Sequence, residues 1–368
     1  MNKIRVGVAG LRHGMASVRE VLAQKEFELV ALCSYSSEAY EYLCGRPIPA
    51  NLDSVTFTEP REVLIQQCRL LKDFKEVDFF TDYDRFLDHK GLDAVIIAVP
   101  IPLNAGFAIK ALEKKLHVFA SKPFALTLKQ GIALKDAVLK SRNKFVVNYQ
   151  FRYSPLMRNI RNLITTGALG KLQLMWWNMF RMPLREGYTK WETGGGAFIT
   201  EICHWIDLFQ LFNSETAFKK ICTFGGLNVL SQQQEVDDNA VCIIEYENAV
   251  RASINFTYFT DQPQHSLFGL VGDKGKIIAD TDDSGRYVLY NGAAQNRTEY
   301  IVNARRSHQG HLGFDISHQR FAEIILRDLD INADEAKRGF ESLVVALAAQ
   351  MSLNKSKIVS REEILARG

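Results

Sequence analysis

The chain has 368 residues, room for two domains at roughly 150 residues each. It is 47% hydrophobic, 11% aromatic and 24% charged, which excludes disordered, collagen-like and disulfide-stapled chains. Its 45 basic and 42 acidic side chains leave a formal charge of +3, so nothing electrostatic points to nucleic acid. No run of about 18 uncharged apolar residues suggests a membrane span. Met1 to Arg5 leads straight into a strand-like run without a secretory leader, so a cytoplasmic location is expected. Cys33, Cys44, Cys68, Cys203, Cys222 and Cys242 show no C-x-x-C spacing and are too sparse for a disulfide framework; reduced thiols are expected.

In chain order, the first half alternates strands and helices. Ile4 to Ala9 reads as a strand ending in Gly10, followed by a helix through Leu22 and a second strand over Glu28 to Cys33. The segment 46–77 holds Pro47, Pro49 and Pro60 and then a helical run over Arg61 to Leu71. It reads as a surface insertion. Ala94 to Val99 is a continuous apolar run closed by Pro100, the pattern of a strand buried on both faces. A helix over Asn104 to Leu116 and strands over Leu116 to Ala120 and Lys144 to Tyr149 complete a doubly wound α/β domain, residues 1–150.

Residues 151–368 read as a second, α+β domain. Strands are expected over Trp176 to Phe180, Ala240 to Tyr246, Val250 to Phe259, Leu267 to Val271, Lys276 to Ala279 and Tyr287 to Tyr290. Turn signals such as Gly272-Asp273-Lys274-Gly275 separate several of them. They imply a large, mostly antiparallel sheet, covered on one face by helices near Ala197 to Phe212, Asp315 to Arg327 and Asp334 to Leu353.

The first turn, Gly7-Val8-Ala9-Gly10-Leu11-Arg12-His13-Gly14, follows a strand and opens a helix, the setting that receives a pyrophosphate. Its glycine spacing is irregular: Arg12 stands at the second fingerprint position, and Gly14 comes one residue early. Without a ligand it is a glycine-rich connection of any α/β sheet. After the second strand comes Ser34 where a carboxylate selects NAD; its loss permits NADP and tilts the choice slightly that way, although no arginine follows to clamp a 2′-phosphate.

Four segments in order resemble the Gfo/Idh/MocA oxidoreductases. They are the first turn; Asp93 to Pro100 with His117-Val118-Phe119-Ala120-Ser121-Lys122-Pro123; Asn148-Tyr149-Gln150-Phe151-Arg152-Tyr153-Ser154-Pro155; and Gly194-Gly195-Gly196 leading to Glu201-Ile202-Cys203-His204-Trp205-Ile206-Asp207. A late Gly310-His311 extends the match. The resemblance implies a Rossmann domain, an open-faced sheet through which members form homodimers or homotetramers, and hydride transfer between NAD or NADP and a sugar, polyol or related small molecule. It implies cofactor contacts at Gly10, Leu11, Arg12, His13, Gly14, Ser34, Ala98, Pro100, Asn104, Ser121 and Lys122. Two departures stand out: Ser121 replaces the family's usual Glu before the lysine, and Thr200 replaces an Asp four residues before His204.

Lys122 can steady a developing alkoxide, and the family places its active-site lysine there; a solvated loop lysine is the bland alternative. His204 can accept a proton near neutrality, with Glu201 one turn away to assist; a hydrogen-bonded core histidine is the alternative. Arg152, Tyr153, Tyr188, Trp191 and Asp207 are candidate substrate contacts. Arg152 can instead form a structural salt bridge, Asp207 a structural pair, and the loop aromatics can simply pack. His311 and Asp315 offer a second substrate contact that competes with helix capping by Asp315. A metal bound by Glu201, Cys203, His204 and Asp207 lacks a converging ligand set, so no metal is expected. Two rivals to a dehydrogenase share the fold: a nucleotide-dependent sensor without turnover, and a glycoside hydrolase using tightly held NAD for a transient oxidation.

Overall fold

The computed structural model describes residues 3–49, 52, 60–184, 186–260, 265–280, 285–292, 296–302 and 312–368. They form two compact units. The first is built on six parallel strands: β1 (Ile4–Ala9), β2 (Phe27–Cys33), β3 (Asp78–Phe80), β4 (Ala94–Ile97), β5 (His117–Ser121) and β6 (Phe145–Asn148). Their order is β3-β2-β1-β4-β5-β6. The direction of winding reverses between β1 and β4, where ligands bind outside the carboxyl ends of such sheets. Val95, Ile96 and Ile97 are fully buried, as expected of strands covered on both faces.

The helix Arg61–Leu71 is not a surface insertion. Its Leu64, Ile65 and Cys68 lie in the main core with Val18, Leu29 and Leu32. It is the crossover from β2 to β3. That strand has only three residues, Asp78-Phe79-Phe80, at the sheet edge. No alternation can show in so short a run.

Late residues 312–337, which the sequence places in the second domain, group with the first unit. The helix Phe314–Leu326 puts Phe321, Ala322 and Ile324 into the first unit's core. At the start of the helix Asn332–Lys355, Asn332 accepts the Phe145 N–H at 3.0 Å. Its amide donates to the carbonyls of Ser141 at 3.0 Å and Asn143 at 2.9 Å.

The second unit carries nine strands among the described residues: β7 (Leu172–Phe180), β8 (Phe218–Gly226), β9 (Asn239–Tyr246), β10 (Arg251–Thr257), β11 (His265–Gly272), β12 (Gly275–Asp280), β13 (Arg286–Asn291), β14 (Asn296–Ile301) and β15 (Val359–Ser360). Their order is β14-β13-β12-β11-β7-β10-β9-β8-β15, antiparallel throughout except the β7–β10 pair. One face, with Met175, Trp177, Ile244 and Ile254, is buried. The helix Cys203–Phe212 lies against it, with Phe212 stacked 6.3 Å from Phe268. Further along the last long helix, the Ser352 hydroxyl accepts the Thr223 N–H at 2.9 Å. The other face leaves Leu174, Phe180, Val241, Ile243 and Phe224 exposed.

All six cysteines are free. No helix among the described residues is long and apolar enough to cross a membrane.

Candidate active site

In the first unit the turn after β1 is shaped by close approach. Gly10 has φ +91°, and a Cβ there would lie 2.2 Å from the Ala98 carbonyl oxygen. A Cβ on Gly14 would lie 2.0 Å from the Gly10 carbonyl and 3.0 Å from the Ala98 side chain. The irregular glycine spacing therefore answers to a tight contact between the turns that leave β1 and β4. Arg12 is exposed and His13 half-buried. The Leu11 side chain is 1% exposed and belongs to the core, which leaves its backbone in the turn.

Ser34, half-buried, ends β2 and donates its N–H to the Phe80 carbonyl at 3.0 Å. Around it stand Ser36 and Ser37, whose hydroxyls bond the Glu38 N–H at 3.2 Å and the Glu41 carboxylate at 2.7 Å. Arg46, the next arginine along the chain, is paired with Glu41 at 2.6 Å. Ala98 continues the ladder through its N–H to the Ala9 carbonyl at 2.8 Å, and Pro100 stands at the start of the helix Ile101–Glu113.

Lys122 leaves the carboxyl end of β5, two strand spacings from β1, about 10 Å. It is half-buried, and its bond to Pro123 is cis. Asn104, expected at the cofactor, instead turns its amide onto this segment, donating to the carbonyls of Ser121 at 2.5 Å and Pro123 at 3.0 Å.

In the second unit the three glycines relieve steric conflict. Gly195 and Gly196 have φ of +73° and +87°. A Cβ on Gly196 would lie 2.6 Å from the Trp191 ring, and one on Gly194 would lie 2.7 Å from the Tyr188 carbonyl. Trp191 and Tyr188 thus pack on the glycine turn while staying half-buried. Past it the expected helix begins as a π turn, Phe198–Ile202, and continues as Cys203–Phe212. Thr200 is fully buried, its hydroxyl donating to the Gly196 carbonyl at 3.0 Å.

Glu201 is 8% exposed and accepts from Arg181 at 3.2 Å. Arg181, just past β7, carries no motif in the sequence, so only the fold reveals it. His204 is 5% exposed, with the Phe151 ring stacked 4.6 Å away. Arg152 and Asp207, expected beside a ligand, meet each other: the guanidinium forks the carboxylate at 2.9 and 2.5 Å, and both are buried. Such a bidentate pair is the structural alternative for both residues. Tyr153 is half-buried in the turn Gln150–Tyr153. His311 lies outside the described residues. Asp315 is not a cap, because Gly313 holds the N-cap position of its helix. No group of three or more His, Cys, Asp or Glu among the described residues could hold a metal ion.

Residues 4–149 match the family model of oxidoreductases with an NAD-binding Rossmann fold, and 157–278 match the GFO/IDH/MocA C-terminal domain. The scyllo-inositol 2-dehydrogenase (NAD(+)) of Bacillus subtilis is 31% identical over 283 residues, 73% of this chain and 74% of that protein. The chain belongs to the GFO/IDH/MocA oxidoreductase family. Among other relatives, the uncharacterized oxidoreductase YrbE of Bacillus subtilis is 25% identical over 218 residues, 56% of this chain. Several of these matches are partial, spanning 58 to 61% of the relatives' own length. The solved scyllo-inositol dehydrogenase of Lactobacillus casei, with NAD(H) and scyllo-inositol bound, shares the fold. Its TM-score is 0.76 at 17% identity, over 98% of this chain and all of that one.

The first turn fits the dinucleotide of this GFO/IDH/MocA fold. The helix Met15–Ala23 follows β1 directly and opens at Gly14 with no side-chain cap, the end of a helix that favours a pyrophosphate.

Proposed function

We propose that the chain is an NAD(P)-dependent oxidoreductase acting on a sugar, a polyol or a related alcohol or carbonyl. The observation that carries this reading lies in the first unit: Lys122 sits at the carboxyl edge of the same parallel sheet whose switch point holds the Gly10–Gly14 turn. A nicotinamide, when bound, takes or gives the hydride. The Lys122 ammonium holds the substrate oxygen and stabilises charge as it develops there. In the oxidative direction the His204 imidazole accepts the hydroxyl proton and releases it to solvent; in the reductive direction it returns one. Glu201, paired with Arg181, supports His204. Ser34 in place of a carboxylate supports acceptance of NADP as well as NAD.

A cyclic polyol is the first substrate to test, supported by the relative named for scyllo-inositol. Six free cysteines suit a reducing compartment such as the cytoplasm.

The test begins with fluorescence titration of the cofactor-free protein with NADH and NADPH, followed by turnover of scyllo-inositol and a sugar panel. Lys122→Ala is expected to lower kcat by about 10²-fold or more with dinucleotide affinity and melting temperature retained. Unchanged turnover removes Lys122 from the mechanism. Folded protein that binds neither dinucleotide overturns the whole reading, and tight binding with no turnover across the panel favours a sensor.

A further inference from the structure

The backbone that carries Lys122 is held by a residue from another element. Asn104 is 2% exposed on the helix Ile101–Glu113. Its one amide nitrogen donates to two carbonyls, Ser121 at 2.5 Å and Pro123 at 3.0 Å. These lie on either side of Lys122. Its amide oxygen is buried with no hydrogen-bond partner.

We propose that Asn104 is a positioning residue for Lys122, its carboxamide nitrogen bridging the two carbonyls that flank the lysine. The inference rests on the role proposed above for Lys122. Both amide protons are committed to the turn, so Asn104 has no donor left for a ligand. A buried carbonyl without a partner costs about 1–3 kcal/mol. The site tolerates that cost for a side chain that delivers two N–H groups from one planar nitrogen. Aspartate would set its oxygens against two carbonyl oxygens, and leucine of the same size would leave both carbonyls unmet. On the far side of the lysine, Phe124 and Ala125 are buried at 1% and 0% exposure. The root of Lys122 is thereby fixed on both sides. A lysine carries about 2 kcal/mol of side-chain freedom, so anchoring its root narrows where the ammonium can go.

The experiment labels the full-length chain with N-hydroxysulfosuccinimidyl acetate from about pH 7 to about pH 11, a range that brackets the ordinary lysine midpoint of about 10.4. Acetylation of Lys122 is followed by peptide mass spectrometry, with the exposed Lys140 as the internal reference. In Asn104→Leu the Lys122 rate profile is expected to shift by about threefold or more, the size of a half-unit change in midpoint, while that of Lys140 stays put. Should that variant not fold, Asn104→Ala, which admits water to both carbonyls, gives the same readout. A folded variant with the wild-type Lys122 profile overturns the proposal. Retained turnover in Lys122→Ala overturns the catalytic role of Lys122 instead, and leaves the labelling result to judge the bridge by itself. Where Lys122→Ala does abolish turnover, Asn104→Leu should lower kcat more than it raises KM.

Discussion

Ser34 stands where a dinucleotide-binding sheet often carries the carboxylate that grips a ribose and repels a 2′-phosphate. Its surroundings are hydroxyls, and the next arginine along the chain is already paired with Glu41. A carboxylate introduced here faces the added phosphate of NADPH but accepts a hydrogen bond from the free ribose hydroxyl of NADH. Ser34→Asp should therefore weaken NADPH binding by about tenfold or more, about 1.4 kcal/mol, and leave NADH binding equal or tighter. Fluorescence titration of both dinucleotides checks this, and a parallel change in the two affinities would show that Ser34 does not read the ribose. The absent carboxylate was legible in the sequence. The reason for Gly10 was not, because its conflict with the Ala98 carbonyl is made by a turn almost ninety residues away. Arg152 and Asp207 were legible as candidates, but their mutual fork is a property of the folded unit.

The helix Phe314–Leu326 shows how one element ties folding to pH. His318, fully buried on it, donates from Nδ1 to the Phe314 carbonyl at 2.8 Å and packs against the rings of Phe119 and Phe314, each 4.7 Å away. Its Nε2 has no hydrogen-bond partner. Burial pushes its pKa down to about 4 from an ordinary 6.5. Between those values the unfolded chain holds a proton that the folded chain refuses, so stability rises with pH in this window and is lost on acidification. The full effect is about 3 kcal/mol. Urea unfolding followed by far-UV circular dichroism should show the stability gap between wild type and His318→Leu shrinking by about that amount from pH 7 to pH 4. A constant gap would refute it. At this scale most of the first sheet was legible from apolar runs, and the helix Arg61–Leu71 was found at its true bounds. Its place in the core was not, since β3 is too short to announce the sheet it serves. β8 was hidden for a different reason: Lys219, Lys220 and the closing Gly225 and Gly226 break its alternation. β14 escaped because its Arg297, Thr298 and Glu299 are all exposed on an edge.

At the scale of the whole molecule, the open face of the second unit's sheet is where a second copy is expected to dock. Cross-strand register runs Cys222, Ile243, Ser253, Trp176, Gly269, Ile278 and Val288 in one line across seven strands. A Cβ on Gly269 would lie 2.4 Å from the Trp176 indole, so that ring lies over the glycine and widens the apolar row. Beside it Phe224 at 65% exposure faces Val241 at 49%. A monomer seldom leaves a contiguous apolar patch of this kind in water, and its removal from solvent is a drive toward a second copy. The expected species is a homodimer or homotetramer closed through this face. Ile243 is 49% exposed in the single chain, so a glutamate there disturbs no core packing. In an assembly the same carboxylate would be buried opposite an apolar surface, at a cost of several kcal/mol. Ile243→Glu should therefore run as a monomer by light scattering at concentrations where the wild type is oligomeric. Its melting temperature should fall only by the part that assembly contributes, and should do so in a concentration-dependent way. A wild type that is monomeric across that range, or a variant that assembles as the wild type does, would place the interface elsewhere.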